Sequence, residues 1–178
     1  MADEFRGKMG AMDTDEVEAF LASGTLARLA CLKPDGAPYV VPIWYQWDGK
    51  DFWFVGRERA EWCTNLQNDP RASVVIDAAH SPTDEMGGSS EIPKVFVEGI
   101  CEVVEEPNVG GKWVQVAEQM SKRYLGPNGP TYLTSTIKQP RWLFRLRPTR
   151  FKTWQGVGWS PKYWVDTDEG PTYEEVHS

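Results

Sequence analysis

Short segments of strand-forming residues, separated by turn residues, run through most of the chain. The turn at Asp48-Gly49 is the clearest, because Asp-Gly favours a tight hairpin between antiparallel strands. There are six or seven such segments, and only three helical patterns lie among them. A parallel α/β sheet would need a helix in nearly every connection between strands. The pattern therefore predicts a mainly β protein of the α+β class, an antiparallel barrel with short flanking helices.

The extents of these elements are predicted from hydrophobic periodicity and from residues that begin or end a segment. Asp13 and Glu16 form a capping-box pattern at the start of the first helix. The run GPNGP is predicted to end the third helix. The predicted strands are TLARLACLK, YVVPIWYQW, DFWFVG, RASVVID, KVFVEGICEVV, RWLFRLRP and RFKTWQG, and the predicted helices are DTDEVEAFLASG, AEWCTNLQND and KWVQVAEQMSKRYL.

The chain is expected to form one domain over residues 13–156. A flexible segment at 1–12 precedes it, and an acidic extension at 157–178 follows it. A length of 178 residues is enough for one sizeable core and short for two. Residues 80–92 form a polar, glycine-rich loop with two open interpretations, a lid over a cleft or a long hairpin connection.

The net charge of −7 argues against several classes of partner. Nucleic-acid binding needs a basic face, so neither nucleic acid nor an anionic membrane surface is an expected partner. The longest apolar run, YVVPIWY, is too short to span a bilayer, and no signal-peptide pattern opens the chain. The three widely spaced cysteines fit neither a disulfide framework nor a metal-ligand pattern, which favours a cytoplasmic location.

Common catalytic motifs are missing from the sequence. It contains no GxGxxG, no GxxxxGK[ST] and no GxSxG. There are only two histidines, His80 in a loop and His177 near the terminus, which argues against a triad, a zinc site or histidine acid–base catalysis. No metal is therefore expected, and no residue is singled out as catalytic.

Arg57 and Arg59 give the strongest positive signal for a binding site. They lie two residues apart at the end of a strand, and a helix is predicted to begin at Ala60. A guanidinium matches the oxygens of a phosphate, and the amides at a helix start also favour an anion. The alternative is that both arginines are surface residues paired with Glu58 and Glu61.

Four further residues are candidates with weaker signals. Lys94 begins a strand beside the glycine-rich loop, and a solvated lysine is the alternative. Trp154 lies near the end of the domain, where a core tryptophan is the alternative. Trp44 and Trp62 flank the arginines in sequence, and aromatic walls would suit a planar ring cofactor.

Read together, these segments resemble the pyridoxamine 5′-phosphate oxidase-like family of FMN-binding split barrels, which includes deazaflavin-using relatives. The resemblance covers about residues 16–156 and depends on the order and spacing of four segments. These are FLASGTLARLACLKPDGAPYVVPIWY, WFVGRERAEWCTNLQNDPRASVVID, KVFVEGICEVVEEP and RWLFRLRPTRFKTWQG.

The resemblance implies a six- to seven-stranded split barrel that forms a homodimer, with FMN bound at the subunit interface. It implies that Pro42, Ile43 and Trp44 lie along the ring system and that Arg57 and Arg59 fall in the phosphate-binding segment. The remaining residues that it places at the cofactor are Lys94, beside the flavin, and Trp154, which packs from the partner subunit.

Two departures from the family pattern affect the expected function. Most members have a lysine where this chain has Trp62, so Arg59 is expected to compensate at the phosphate. The oxidase itself carries an Arg-Leu-His-Asp-Arg segment where this chain reads VGWSPKYW, so vitamin B6 oxidation is not expected.

The expected function is an FMN-dependent oxidoreductase acting on an unidentified small molecule. One alternative is a reductase that uses the deazaflavin coenzyme F420 in the same cleft. Another is a non-catalytic flavin-binding module, and a small barrel that stacks single-stranded nucleic acid is disfavoured by the acidic charge.

Overall fold

The computed structural model describes residues 12–77 and 93–155. The predicted C-terminal extension, the loop at 80–92 and all but the last residue of the predicted N-terminal segment lie outside these ranges. Within them the elements, in chain order, are α1 (Thr14–Ala22), β1 (Ala27–Leu32), β2 (Pro38–Ile43), β3 (Gln46–Trp47), β4 (Phe52–Arg57), α2 (Glu61–Asn68), β5 (Arg71–Asp77), β6 (Lys94–Asn108), α3 (Trp113–Leu125), a 3-10 turn (Gly126–Asn128), α4 (Gly129–Thr136) and β7 (Arg141–Trp154).

The seven strands form one sheet in the order β2-β1-β5-β6-β7-β4-β3, and every neighbouring pair is antiparallel. The segment YVVPIWYQW, predicted as one strand, is divided between the edge strands β2 and β3, which are joined only by Trp44 and Tyr45. Consecutive Cα atoms are about 3.8 Å apart, so the two edges lie within roughly 11 Å of each other. The sheet therefore curls into a barrel that stays open between β2 and β3, which confirms the predicted split barrel.

The interior of the barrel holds the main hydrophobic core. Val95, Val97 and Cys101 on β6 are buried, and they alternate with more exposed residues as the sequence pattern predicts. Phe52 and Phe54 on β4 are fully buried against the same core. The core fixes the ends of β2 and β4, and the candidate binding residues lie at those ends.

The region predicted as two strands, RWLFRLRP and RFKTWQG, is a single strand, β7. Its register against β6 shifts where Glu98 pairs with Arg150 and Gly99 pairs with Pro148, leaving Thr149 as an extra residue. The Thr149 hydroxyl donates to the Glu98 carbonyl at 3.1 Å. Because a bulge interrupts the ladder, it accommodates a proline that cannot donate there, and the strand continues.

The helices match the predictions in part. The capping box at α1 is confirmed, since the Asp13 side chain accepts from the Glu16 amide and the Glu16 side chain accepts from the Asp13 amide. The prediction that GPNGP ends the third helix is confirmed, because α3 ends at Leu125, but the helix α4 that follows was not predicted. Pro130 lies in the first turn of α4, where a missing N–H costs no intrahelical hydrogen bond.

Candidate functional site

A cleft of about 340 Å³ lies between the end of β2, the turn after β4 and the α3–α4 pair. Six of the eight predicted site residues line it, although they come from separate parts of the sequence. They are Pro42, Ile43, Trp44, Arg57, Arg59 and Trp62. The structure thus brings together the residues that were predicted to contact a ring system and those that were predicted to contact a phosphate.

A tight turn positions the two predicted arginines at the mouth of the cleft. The Ala60 amide donates to the Arg57 carbonyl at 2.9 Å, and α2 begins at the next residue. Both arginine side chains are exposed. Both arginines thus come immediately before α2, whose first amides have no acceptor within the helix.

The alternative interpretation of Arg57 and Arg59 as ion-paired surface residues does not fit the geometry. Glu61 pairs instead with Lys33, with Nζ and Oε1 3.3 Å apart. Within residues 12–77 and 93–155, no carboxylate forms an ion pair with either arginine. The cleft therefore carries positive charge that the described part of the chain leaves unneutralised.

A third arginine of the cleft, Arg141, was missed by the sequence analysis. It is the first residue of β7 and lies directly opposite Arg57 in the β4–β7 pairing. Its side chain is buried, with 7% exposed, and its Nε and Nη2 atoms have no hydrogen-bond partner among the described residues. Nothing local in the sequence marks Arg141, because its position depends on which strand pairs with β4.

The environment of Arg141 disfavours its charge. Burial lowers the pKa of its guanidinium, the Tyr132 hydroxyl opposes this effect, and the positive charge of Arg57 adds to it. The guanidinium carbon lies 5.5 Å from the centroid of the Trp113 ring, so a cation–π contact offsets part of the lost hydration.

One wall of the cleft is aromatic. The Trp44 ring stacks on Tyr124 with centroids 5.0 Å apart and planes 6° apart. It also meets the edge of Tyr132 at 6.0 Å. The next residue, Tyr45, points the other way into the core and donates its hydroxyl proton to the Leu21 carbonyl at 3.0 Å. The alternating direction of adjacent residues in extended chain thus turns Trp44 toward the cleft.

The floor of the cleft is apolar. Trp62 is buried with 7% exposed and packs against Phe54 and Phe144, with ring centroids 6.5 and 5.3 Å away. Gly56 lies beneath it, in a space that a Cβ atom could not share with the Trp62 ring. Trp62 therefore supplies packing rather than charge at the position where the family resemblance leads one to expect a lysine.

The other two predicted residues do not line this cleft. Lys94 and Trp154 lie directly opposite each other in the β6–β7 ladder, and both are half-buried. Their predicted positions beside the cofactor, with Trp154 reaching it from a partner subunit, stay predictions because one chain alone does not test them.

Other reactive groups in the described residues are not gathered into a second site. The three cysteines are buried, and burial raises the pKa of each thiol, that of Cys101 to about 12. Residues 12–77 and 93–155 contain no group of three or more His, Cys, Asp or Glu side chains arranged for a metal. In the same ranges, no helix combines the length and apolar character needed to cross a membrane.

The chain is a split-barrel protein with a cleft lined by arginines. A family model described as pyridoxamine 5′-phosphate oxidase matches residues 13–155, and the chain belongs to that family. The resemblance inferred from the sequence is thereby confirmed. No curated protein sequence matches the chain.

Several solved structures share this fold. A conserved hypothetical protein from Mycobacterium tuberculosis is 24% identical, with a TM-score of 0.67 over 93% of this chain and 96% of that one. An F420 reductase is 24% identical, with a TM-score of 0.55 over 75% and 94%. A heme storage protein from Vibrio cholerae is 20% identical, with a TM-score of 0.59 over 81% and 96%. At these identities the likeness establishes the fold and leaves the ligand open.

Proposed function

We propose that this chain is a flavin-dependent oxidoreductase that binds FMN in the cleft and acts on a small molecule. The observation that carries the proposal is the charge of the cleft. Arg57, Arg59 and Arg141 all line it, and no carboxylate among the described residues pairs with any of them. An anion is the missing partner of these three groups.

The donor set fits a phosphate ester. Guanidinium groups present planar forks of N–H donors that match phosphate oxygens, and charge-assisted hydrogen bonds of this kind are the stronger ones. In this proposal the first amides of α2, which follows both arginines closely in sequence, add donors without adding a side chain. Arg57 and Arg59 hold the phosphate from the open side of the cleft in this arrangement.

The rest of the cleft fits a planar ring. Trp44 offers an aromatic face held by stacking on Tyr124, while Ile43 and Met120 add apolar surface. When bound, the flavin supplies the redox chemistry by accepting or donating a hydride at its ring system. The chain binds the phosphate, orients the ring against the aromatic wall and keeps water away from it.

A homodimer completes the proposed site. Lys94 and Trp154 do not line the cleft of their own chain, and the family resemblance places Trp154 at the cofactor of the partner subunit. In this proposal the two subunits exchange these residues, so that each cofactor contacts both chains. The expected test is size-exclusion chromatography with light scattering, and a monomer that binds FMN with full affinity would contradict the arrangement.

The deazaflavin coenzyme F420 is the second candidate ligand. An F420 reductase shares the fold. This chain also has the buried Trp62 at the position where a phosphate-binding lysine is expected. The cleft remains cationic through its arginines, which also suits a cofactor with an acidic tail. The two candidates differ in a simple property, since bound FMN colours the purified protein yellow.

The deciding experiment is an absorbance spectrum of purified protein, before and after addition of FMN and gel filtration. Oxidised-flavin bands at about one per subunit support the proposal. A colourless protein that binds coenzyme F420 instead supports the second candidate, and a heme spectrum without flavin contradicts both. Reduction of bound flavin by a nicotinamide donor, followed by reoxidation in air, separates an enzyme from a non-catalytic flavin-binding module.

The double variant Arg57→Ala/Arg59→Ala tests the phosphate assignment. We expect its FMN dissociation constant to rise by roughly 10- to 100-fold or more, the range for lost hydrogen bonds to a charged group. Arg147→Ala is the matched control, because Arg147 is exposed and pairs with Glu102 outside the cleft. Equal FMN affinity in the double variant and the control would refute the assignment.

A further inference from the structure

Arg57 and Arg141 lie opposite each other on the neighbouring strands β4 and β7, and both line the cleft. They are direct partners in the antiparallel pairing, and no carboxylate of the described residues lies in an ion pair with either. Like charges directly opposite one another destabilise a sheet. The pair is therefore unfavourable unless a negative group lies between the two side chains.

Because Arg141 is buried, an unpaired charge costs more free energy there than at Arg57. Arg141 has 7% of its surface exposed, while the Arg57 side chain is open to solvent. Two of its N–H-bearing atoms, Nε and Nη2, are buried without an acceptor. A buried charge is stable only when it is paired and hydrogen-bonded, and a cation–π contact with Trp113 supplies no acceptor.

Among the described residues, the hydroxyl of Tyr132 on α4 is a polar group that interacts with Arg141. Tyr132 and Arg141 both line the cleft, together with Arg59. One hydroxyl oxygen can accept only some of the hydrogen bonds that a guanidinium can donate, because the guanidinium carries five N–H donors. Arg141 therefore has unused donors, and it lines a cleft that already carries Arg57 and Arg59.

We propose that Arg141 is the inner arginine of a site for a phosphate monoester. Arg141 and Arg57 clamp the phosphate between β4 and β7, and Arg59 closes it from outside. Three guanidinium charges without a carboxylate are better neutralised by a dianion than by a monoanion. That the monoester belongs to FMN rests on the proposed function, whereas the anion site rests on the arginines alone.

Thermal unfolding in phosphate-free buffer, with inorganic phosphate added at constant ionic strength, tests the anion site without any cofactor. We expect phosphate to raise the midpoint of the natural protein and of the control Arg147→Met, which removes an exposed arginine from the same strand. Arg141→Met is expected to lose this response. Without phosphate its midpoint is expected to be unchanged or higher, because the substitution removes a buried, unpaired charge.

The unfolding midpoint of Arg141→Met without phosphate separates a ligand-binding arginine from a structural one. A structural Arg141 would make Arg141→Met less stable with and without phosphate, and would leave the phosphate response intact. That result overturns the proposal. If Arg141→Met does not fold, Arg141→Lys serves, since it keeps a charge but lacks the planar fork; an undiminished phosphate response in that variant also overturns the proposal.

Calorimetric titration with FMN and riboflavin links the site to the cofactor. We expect Arg141→Met to bind FMN about 10- to 100-fold more weakly while riboflavin affinity stays unchanged, since riboflavin lacks the phosphate. Equal FMN affinity in Arg141→Met and Arg147→Met overturns the inference but leaves the proposed function intact. A different outcome is that the natural protein fails to bind FMN, while phosphate stabilises it and does not stabilise Arg141→Met. That result supports the arginine site and refutes FMN as its ligand.

Discussion

Gly56 lies near the end of β4 and lines the cleft beside Trp62. A Cβ atom at this position would be 2.2 Å from Cys63 Sγ and 2.8 Å from the Trp62 ring. Both neighbours are buried, with 0% and 7% exposed, so neither side chain can swing into solvent. To reach even 3.0 Å from the new methyl group, Sγ would have to retreat by about 0.8 Å. Gly56→Ala therefore forces α2 away from the barrel.

The expected loss of stability is about 2 to 3 kcal/mol, the upper part of the range for overpacking a closed core. For a chain of this size, this loss lowers the melting midpoint by roughly 4 to 12 °C. Denaturant unfolding followed by tryptophan fluorescence gives the free energy directly. Because α2 begins four residues after Arg57, the displacement is also expected to weaken FMN binding in an equilibrium titration.

Gly24→Ala is the matched control for this substitution. A Cβ atom there would meet only the Arg123 carbonyl, at an ordinary 3.5 Å, so we expect little change in stability. The variant Gly56→Ala/Cys63→Ala removes the closest clashing atom, and its loss should be smaller than the sum of the two single losses. A Gly56→Ala protein as stable as Gly24→Ala would refute the packing argument.

Two further results are expected. Gly129→Ala should displace α4, because the new Cβ would be 2.3 Å from the Ser121 carbonyl oxygen. We expect a stability loss of about 1 to 3 kcal/mol in denaturant unfolding and weaker FMN binding. Unchanged stability and unchanged FMN affinity would refute this account of the cleft wall. Burial raises the pKa of the thiols of Cys31, Cys63 and Cys101. These three thiols should therefore react slowly with a thiol reagent at pH 8 and give three equivalents of product after denaturation. Rapid reaction of any one thiol in the folded protein would contradict its burial.

The strand pattern was predictable because it is a local property of the chain. Side chains alternate across a strand, so the burial of Val95 and Val97 follows from their spacing alone. The capping box at Asp13 and Glu16 is equally local. The continuity of β7 was harder to predict, because the strand passes through Pro148 only where a bulge forms against β6.

The helix α4 escaped prediction for a related reason. Its sequence, GPTYLTST, combines glycine, proline and threonine, which are weak helix formers. It is held by packing, since Gly129 fits against the backbone of Ser121 and Leu133 is buried. Tertiary contacts thus override a low propensity, and Tyr132 reaches the cleft only because they do.

The sequence by itself determined where strand segments lie, the family and the pair of arginines at the turn after β4. These follow from periodicity, from the order of segments and from residues two positions apart. Only the tertiary structure decided that Trp44 stacks on Tyr124 and that Arg141 faces Arg57 without a carboxylate partner. The physical reason is that strand pairing and helix docking join residues far apart in the chain, so the charge of a cleft depends on contacts that no local pattern encodes.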